Sequence, residues 1–438
     1  MVKRIPPAAE NNSSFAFMFL LLYVAMVFIR PHQMFEVSIN WVLIKVFAIM
    51  CLLTTLIAQR PLKIHPQHWM LFLLTPLIII SGFFNGSGMI GVSQAQIFLA
   101  TSIIPLFLLS NCITSIKRHH CIMFVCLIAA LFMVHNGHTQ QTDPFWQGWA
   151  FDTQAVGKFG TDYRRITYLG FFSDPNDLGM FLVMTLPFAV YFLQSEKFII
   201  KLLMLFTIAA ILYGVFITYS RGTQLGIIGL LGAYYLIVKF GDRAVLLALL
   251  LAPIGLVAMT ILQSTIDASA KGRLYAWYDG IHMLLSNLFL GVGRGNFIEH
   301  HERTAHNSFI LVAAELGIPG YSLWGGALLF TLVTGYFFIQ HSKNIEKEKL
   351  TSEIKTELAI NKTMFFSMIG FLITSFFLSR SYTVVLFVFI GITLSSHHRV
   401  VKILPEMQQY FTPQLALKCM LYSWSAIFSV YAALKVAL

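Results

Sequence analysis

The chain has 438 residues and a formal charge of +11, yet only 11% of its residues are charged, 57% are hydrophobic and the mean hydropathy is +0.73. A soluble domain carries about 25% charged residues, so a water-exposed globular surface of this size is excluded. The apolar runs recur along the whole length, which makes 1–438 a single polytopic membrane domain rather than the roughly three soluble domains its length would allow.

In chain order, Met1–Ser14 is polar, and the apolar run after it ends at Arg30-Pro31 without a small-residue cleavage site. The start therefore reads as a retained span and not a cleaved signal peptide. Runs long enough to cross a bilayer fall near 14–30, 40–58, 68–84, 92–110, 120–135, 177–193, 198–218, 223–239, 243–262, 307–338, 363–379 and 382–397. The expected fold is an all-α integral membrane protein of about twelve spans, with a thirteenth if 415–434 crosses the bilayer instead of lying in its interface. The five cysteines (Cys51, Cys112, Cys121, Cys126 and Cys419) fall in spans or near the inner side and read as buried, inert thiols.

Positive charge sets the orientation. With the N-terminus inside, the inner segments hold 12 Lys and 5 Arg, and the outer segments hold 2 Lys and 8 Arg. Lysine suits generic topology anchoring. The outer set (Arg30, Arg164, Arg165, Arg221, Arg273, Arg294, Arg303 and Arg380) brings planar forks that grip phosphate or carboxylate in two places. Few carboxylates stand near them in sequence.

Three stretches leave the membrane: a charged inner segment at 341–362, and outer loops at 136–176 and 263–306. The two outer loops hold most of the outer Arg, His and aromatic residues and are the expected seat of function. In the first, Trp146, Trp149, Tyr163 and Tyr168 suit either sugar stacking or the headgroup level, and the doublet Arg164-Arg165 can face a phosphate. Asp174-Pro175-Asn176-Asp177 reads as a turn and helix cap, with Asp174 and Asp177 also open to substrate contact. In TYSRGTQLG, Arg221 sits at a break between two apolar helices, with Gly222 beside it to admit a ligand to the backbone.

The second loop predicts an amphipathic helix on the membrane surface from Arg273 to Leu290, with Leu274, Trp277, Tyr278, Ile281, Leu284, Leu285 and Leu288 at three- and four-residue steps. GVGRGN follows as a tight turn presenting Arg294. It lacks both the Lys-Ser/Thr of a P-loop and the GxGxxG pattern. His306 then stands where the next span begins, beside Asn307 and Ser308, either of which can cap it. His300, His301 and His306 do not form a zinc motif, and no metal or other cofactor is expected.

The segments TYLGFFSDPNDLGMFLVMTLPF, YSRGTQLG, GRLYAWYDGIHMLLSNLFLGVGRGNF, AHNSFILVAAELGIPGYSLW and FLSRSY, in that order over roughly 160–385, resemble the O-antigen ligase and O-antigen polymerase superfamily. One departure is Asn287, where the family often has proline before the GVG turn.

The resemblance implies a GT-C-like helical glycosyltransferase in the bacterial inner membrane, with a large late periplasmic loop and its active site facing the periplasm. Such an enzyme moves a glycan from undecaprenyl diphosphate to an acceptor glycan, lipid or protein, by inversion and without nucleotide sugar or metal. Carried over residue by residue, Arg221 and Arg273 bind diphosphate and His306 is the general base. Arg164, Arg165, Arg294, Arg303, Arg380, Asn307, Asp174 and Asp177 are further substrate-binding candidates. Membrane lipid surrounds the protein, and nothing points to a nucleic-acid partner. The alternative is a multispan transporter or flippase for a lipid-linked or anionic substrate, against which stands the lack of an internal repeat.

Overall fold

The computed structural model describes residues 13–35, 42–143, 145, 148–150, 154–156, 163–264, 268–346, 348 and 350–437. Trp146, expected to stack on sugar or headgroup, lies outside them. The helices are α1 (Ser14–Phe28), α2 (Pro31–Met34), α3 (Val42–Ala58), α4 (Pro66–Phe84), α5 (Gly88–Phe98), α6 (Ile104–Cys112), α7 (Ile116–Thr142), α8 (Pro175–Leu193) and α9 (Phe198–Ile217). They continue with α10 (Arg221–Ser264), α11 (Ala268–Ser286), α12 (Phe297–His300), α13 (Ser308–Ser342), α14 (Ser352–Thr374), α15 (Val384–Ile403), α16 (Pro413–Tyr422) and α17 (Trp424–Ala437). Among the described residues nine helical runs are long and apolar enough to cross a membrane, and α1 and α3 are shorter apolar helices.

Burial sorts these helices by position in the bundle. Along α15 every residue from Val385 to Ser396 is buried, and α8 is nearly as enclosed. By contrast α9 exposes Phe198, Ile199, Leu202, Leu205, Phe206 and Phe216, which suits a lipid-facing helix. At one end of the bundle a buried ion pair ties the core together. Arg399 Nε donates to Glu357 Oε1 at 2.6 Å and Nη2 to Oε2 at 3.1 Å, while Nη1 reaches the Ile113 carbonyl at 2.9 Å. The fork thereby joins α14 and α15 to the end of α6, with both charges satisfied as a buried pair requires. The starts of α8, α10 and α13 gather at the other end, together with the link between α14 and α15.

Several expectations change in the folded chain. The spans expected at 223–239 and 243–262 form one unbroken helical run, because Phe240-Gly241-Asp242 offers no proline and only one glycine, which costs a helix about 1 kcal/mol. A straight helix of 44 residues would be roughly 66 Å long. Yet Arg273, nine residues beyond its end, lies within electrostatic reach of Arg165, which bonds to Thr218 just before the helix starts, so the run is not straight. The 415–434 stretch divides between α16 and α17 at Ser423, whose carbonyl accepts from the Tyr321 hydroxyl at 2.9 Å.

The amphipathic helix α11 stops at Ser286 and not Leu290, and its apolar stripe divides. Leu274, Trp277, Ile281 and Leu284 are buried, with the Trp277 ring 5.2 Å from that of Phe376, whereas Tyr278, Leu285 and Leu288 are exposed. One edge of the stripe therefore covers the bundle rather than lipid. Cys121 is exposed, unlike the other four cysteines, because it lies on the outward face of α7.

Candidate active site

The site begins where α8 starts. Asp174 Oδ1 accepts from the Asn176 backbone N–H at 2.8 Å, and Pro175 occupies the first helical position, so the expected cap forms. The preceding loop closes as an antiparallel ribbon of β1 (Gln154–Val156) and β2 (Tyr163–Arg165), with Gln154 opposite Arg165. Successive strand residues face opposite ways, so the Arg164-Arg165 doublet splits. Arg165 turns into the bundle, its Nε donating to the Thr218 carbonyl at 2.9 Å and its Nη2 to Asn176 Oδ1 at 2.8 Å, while Arg164 takes the other face.

Asn176 is also the meeting point for the TYSRG corner. Tyr219 adopts a left-handed φ of 48°, and Ser220 Oγ donates to Asn176 Oδ1 at 2.6 Å while accepting from the backbone N–H of Thr223. Arg221 then opens α10 with its side chain exposed. Gly222 serves packing and not ligand access: a Cβ there would stand 3.1 Å from Cβ of Phe377.

His306 occupies the short link between α12 and α13, in the left-handed region at φ 48°. The cap of α13 is Asn307, whose Oδ1 accepts from Phe309 N at 2.9 Å and Ile310 N at 3.1 Å, so this candidate substrate contact has its carbonyl committed to the helix. A zipper of polar contacts then fastens the link to residues 379–381. Thr304 Oγ1 donates to Ser379 Oγ at 2.7 Å, Arg380 N to Ser308 Oγ at 2.9 Å, and Ser381 Oγ to the Ser308 carbonyl at 2.7 Å.

That zipper delivers Arg380 to the start of α8. Its Nε donates to Asp177 Oδ1, and its Nη2 stands 3.9 Å from Asp174 Oδ2. Burial works against the Arg380 charge, but the Asp177 bond and the two carboxylates outweigh it and raise its pKa. Asp174 and Asp177 are thus engaged with an arginine, and carboxylates scarce along the outer sequence are supplied by the fold.

Around His306 stand Arg273, Asp174, Arg380 and Arg303. Burial is the largest influence on the imidazole and Arg273 the next, and with Arg380 and Arg303 they hold its pKa down at about 4 against the opposing pull of Asp174. The ring is neutral at physiological pH. Arg165 belongs to the same cluster: burial lowers its pKa, Asp174 opposes this, and Arg273 adds repulsion. Around His306, four guanidinium groups (Arg165, Arg273, Arg303 and Arg380) stand against two carboxylates (Asp174 and Asp177), so this cluster is positive and suited to an anion with several oxygens.

Arg294 does not join them. Gly291, Gly293 and Gly295 all have positive φ, and the turn they make points Arg294 inward. Its guanidinium lies 4.3 Å from the Tyr382 ring centroid and 5.4 Å from that of Phe98, with Nη1 donating to the Gln94 carbonyl at 2.5 Å. The turn docks into a break in α13 at Gly317 (φ 63°, ψ −161°), where the Val292 and Gly293 N–H groups bond the carbonyls of Ala314 and Glu315 that the break frees. A Cβ on Gly317 would lie 2.6 Å from the Leu288 carbonyl, so GVG and ELGIPG are two halves of one joint.

The stretch 1–135, in which the sequence reveals no motif, holds this joint from the other side. Ser81 Oγ donates to the Leu290 carbonyl at 2.6 Å, Asn85 Nδ2 to that of Gly291 at 3.0 Å, and Asn296 Nδ2 to Ser87 Oγ at 3.2 Å. The available signal was the polar run SGFFNGS closing an apolar span. The loop aromatics also fall differently. Tyr168 is buried, donating to the Ile29 carbonyl at 2.5 Å, and Trp149 packs against Phe132 and His135. Of the loop histidines, His301 pairs with Asp279 at 2.7 Å and His300 is exposed; among the described residues no group of three His, Cys, Asp or Glu side chains is set to hold a metal ion.

The fold and this cluster define a multi-pass helical membrane protein with a neutral histidine set among arginines at one end of its bundle. The family model described as O-antigen ligase matches residues 205–325, a segment running from α9 through Arg221, Arg273 and His306 into α13. The match supports the O-antigen ligase and polymerase superfamily, as the motifs implied. No curated protein matches the chain.

Proposed function

We propose that this protein is a membrane glycosyltransferase that moves a glycan from undecaprenyl diphosphate to an acceptor hydroxyl at the periplasmic face of the inner membrane. The observation that carries this reading is the placement of His306, in the link between α12 and α13, among Arg273, Arg380 and Arg303, whose charges together with burial favour the neutral ring. A neutral ring nitrogen takes the proton of the acceptor hydroxyl as its oxygen bonds to the anomeric carbon. The bond from that carbon to the diphosphate oxygen breaks, and the diphosphate leaves with the electron pair. Displacement in one step inverts the anomeric centre. Arg273, with Arg165 and Arg303 beside it, stabilises the charge building on the leaving diphosphate, a role that needs preorganised donors and no metal ion. Arg221, exposed at the start of α10, faces the arriving lipid diphosphate, and Arg380, braced by Asp177 and Asp174, holds the His306 link in place.

Two tests follow from this chemistry. Deleting the gene from its host and separating the surface glycans on a gel tests the reading in the cell. Lost chain length identifies a polymerase, accumulated lipid-linked glycan over a bare acceptor identifies a ligase, and an unchanged glycan pattern contradicts both. The pH profile tests the base. kcat/KM is expected to hold steady down to about pH 5 and to fall as pH drops through about 4, where the imidazole protonates. Removing a positive neighbour relieves the repulsion, so in Arg273→Gln the residual activity should show its acid limb displaced upward. A limb that stays in place would mean that the titrating group is not His306.

A further inference from the structure

Arg273 and His306 come to the site on separate elements, one on α11 and the other on the link before α13. The link is fastened on one side by the zipper to residues 379–381. On the other side it begins at His301, whose Nδ1 donates to Asp279 Oδ2 of α11 at 2.7 Å. A carboxylate only accepts, so this bond sets both the tautomer and the direction of the ring. His301 is itself anchored, its backbone N–H bonding the Phe297 carbonyl at 3.0 Å where α12 ends.

Next to Asp279, Gly280 brings α11 against the same elements. A Cβ there would stand 2.5 Å from Ile310 Cγ2 and 3.0 Å from Phe297 Cε2, so the missing side chain sets how closely α11 approaches α12 and α13. The apolar stripe of α11 supplies depth of burial, but hydrophobic contact has no direction. Direction comes from the Asp279–His301 bond. With the imidazole 19% and the carboxylate 42% exposed, that bond contributes little to stability. Asp279 lies six residues after Arg273, about 9 Å along the helix axis, and His301 lies five residues before His306.

We infer that Asp279 and His301 are positioning residues: their bond, beside the Gly280 contact, holds Arg273 on α11 in register with His306 on the link. That Arg273 and His306 serve one reaction rests on the transfer reading above; the register between them does not.

The test reads His306 directly. Full-length protein carrying 15N-histidine is titrated in liposomes by magic-angle-spinning NMR, with the His306 signal identified by its loss in His306→Asn. Arg273 is the largest charged influence on that ring, ahead of Asp174, Arg380 and Arg303. Asp279→Ala frees α11 to shift, so the His306 titration should rise by about half a pH unit as part of the Arg273 repulsion is relieved. The sign is decisive, because losing a carboxylate by direct electrostatics would push the imidazole further down. His301→Phe should match Asp279→Ala, and the double variant should go no further than either single one. Gly280→Ala favours the helix itself, alters no charge, and should also raise the titration by forcing α11 away. In transfer assays Asp279→Ala should lower kcat about tenfold, the cost of a slight misplacement, with the donor KM little changed and Asp279→Glu close to the parent. A His306 titration that stays or falls in Asp279→Ala, two single effects that add, or a rise confined to Gly280→Ala would overturn the proposal. The expected NMR shifts in a protein that transfers no glycan would instead remove the transfer reading and leave the register standing.

Discussion

Replacing His306 with asparagine is expected to slow glycan transfer by about 10²–10⁴, the usual worth of general-base assistance, while donor binding is largely kept. Asparagine is the informative substitution because it isolates the ring. His306 sits in the left-handed region, which asparagine tolerates better than most residues. Capping of α13 belongs to Asn307, so the helix start does not depend on the imidazole. Donor binding falls to the arginines, which the substitution leaves in place. The variant should insert and unfold like the parent and differ in turnover alone. Wild-type turnover would leave His306 a structural role only.

Arg273→Lys is expected to lose about 10²–10³ in transfer rate, the scale of removing one preorganised donor from a developing oxyanion. Lysine keeps the charge but loses the planar fork that meets two phosphate oxygens at once. This separates geometry from electrostatics within one site. Because Arg273 is the largest charged influence on His306, the lysine variant should retain the low acid limb of the parent while losing rate, whereas Arg273→Gln should lose rate and raise the limb. Near-normal turnover in Arg273→Lys would mean that charge alone suffices at this position or that the diphosphate binds elsewhere.

Much of this architecture was legible in the sequence because hydrophobic length and helix-cap chemistry are local properties. The cap at Asp174-Pro175, the corner at Tyr219-Ser220 and the start of the helix after His306 all follow from a few adjacent residues. What was not legible depends on directions fixed by distant contacts. Whether Arg294 faces outward or inward turns on where the glycine turn around it docks, and the break in α13 at Gly317 that receives the turn is not encoded beside Arg294. The carboxylates that hold Arg380 lie about 200 residues earlier in the chain, at Asp174 and Asp177. Arg164 and Arg165 look equivalent until a short ribbon assigns them opposite faces. The contribution of Ser81, Asn85 and Ser87 was hidden because small polar residues at the end of a span look like any membrane boundary, and only the docked glycine turn shows what they bond.

The most direct test of the account is transfer by the purified protein in nanodiscs, supplied with an undecaprenyl-diphosphate-linked glycan and acceptor in excess EDTA. Glycan is expected to appear on the acceptor in step with free undecaprenyl diphosphate, at a rate the chelator does not change. A donor that binds but is never transferred, or turnover that returns only with added Mg²⁺, Mn²⁺ or Zn²⁺, would contradict it.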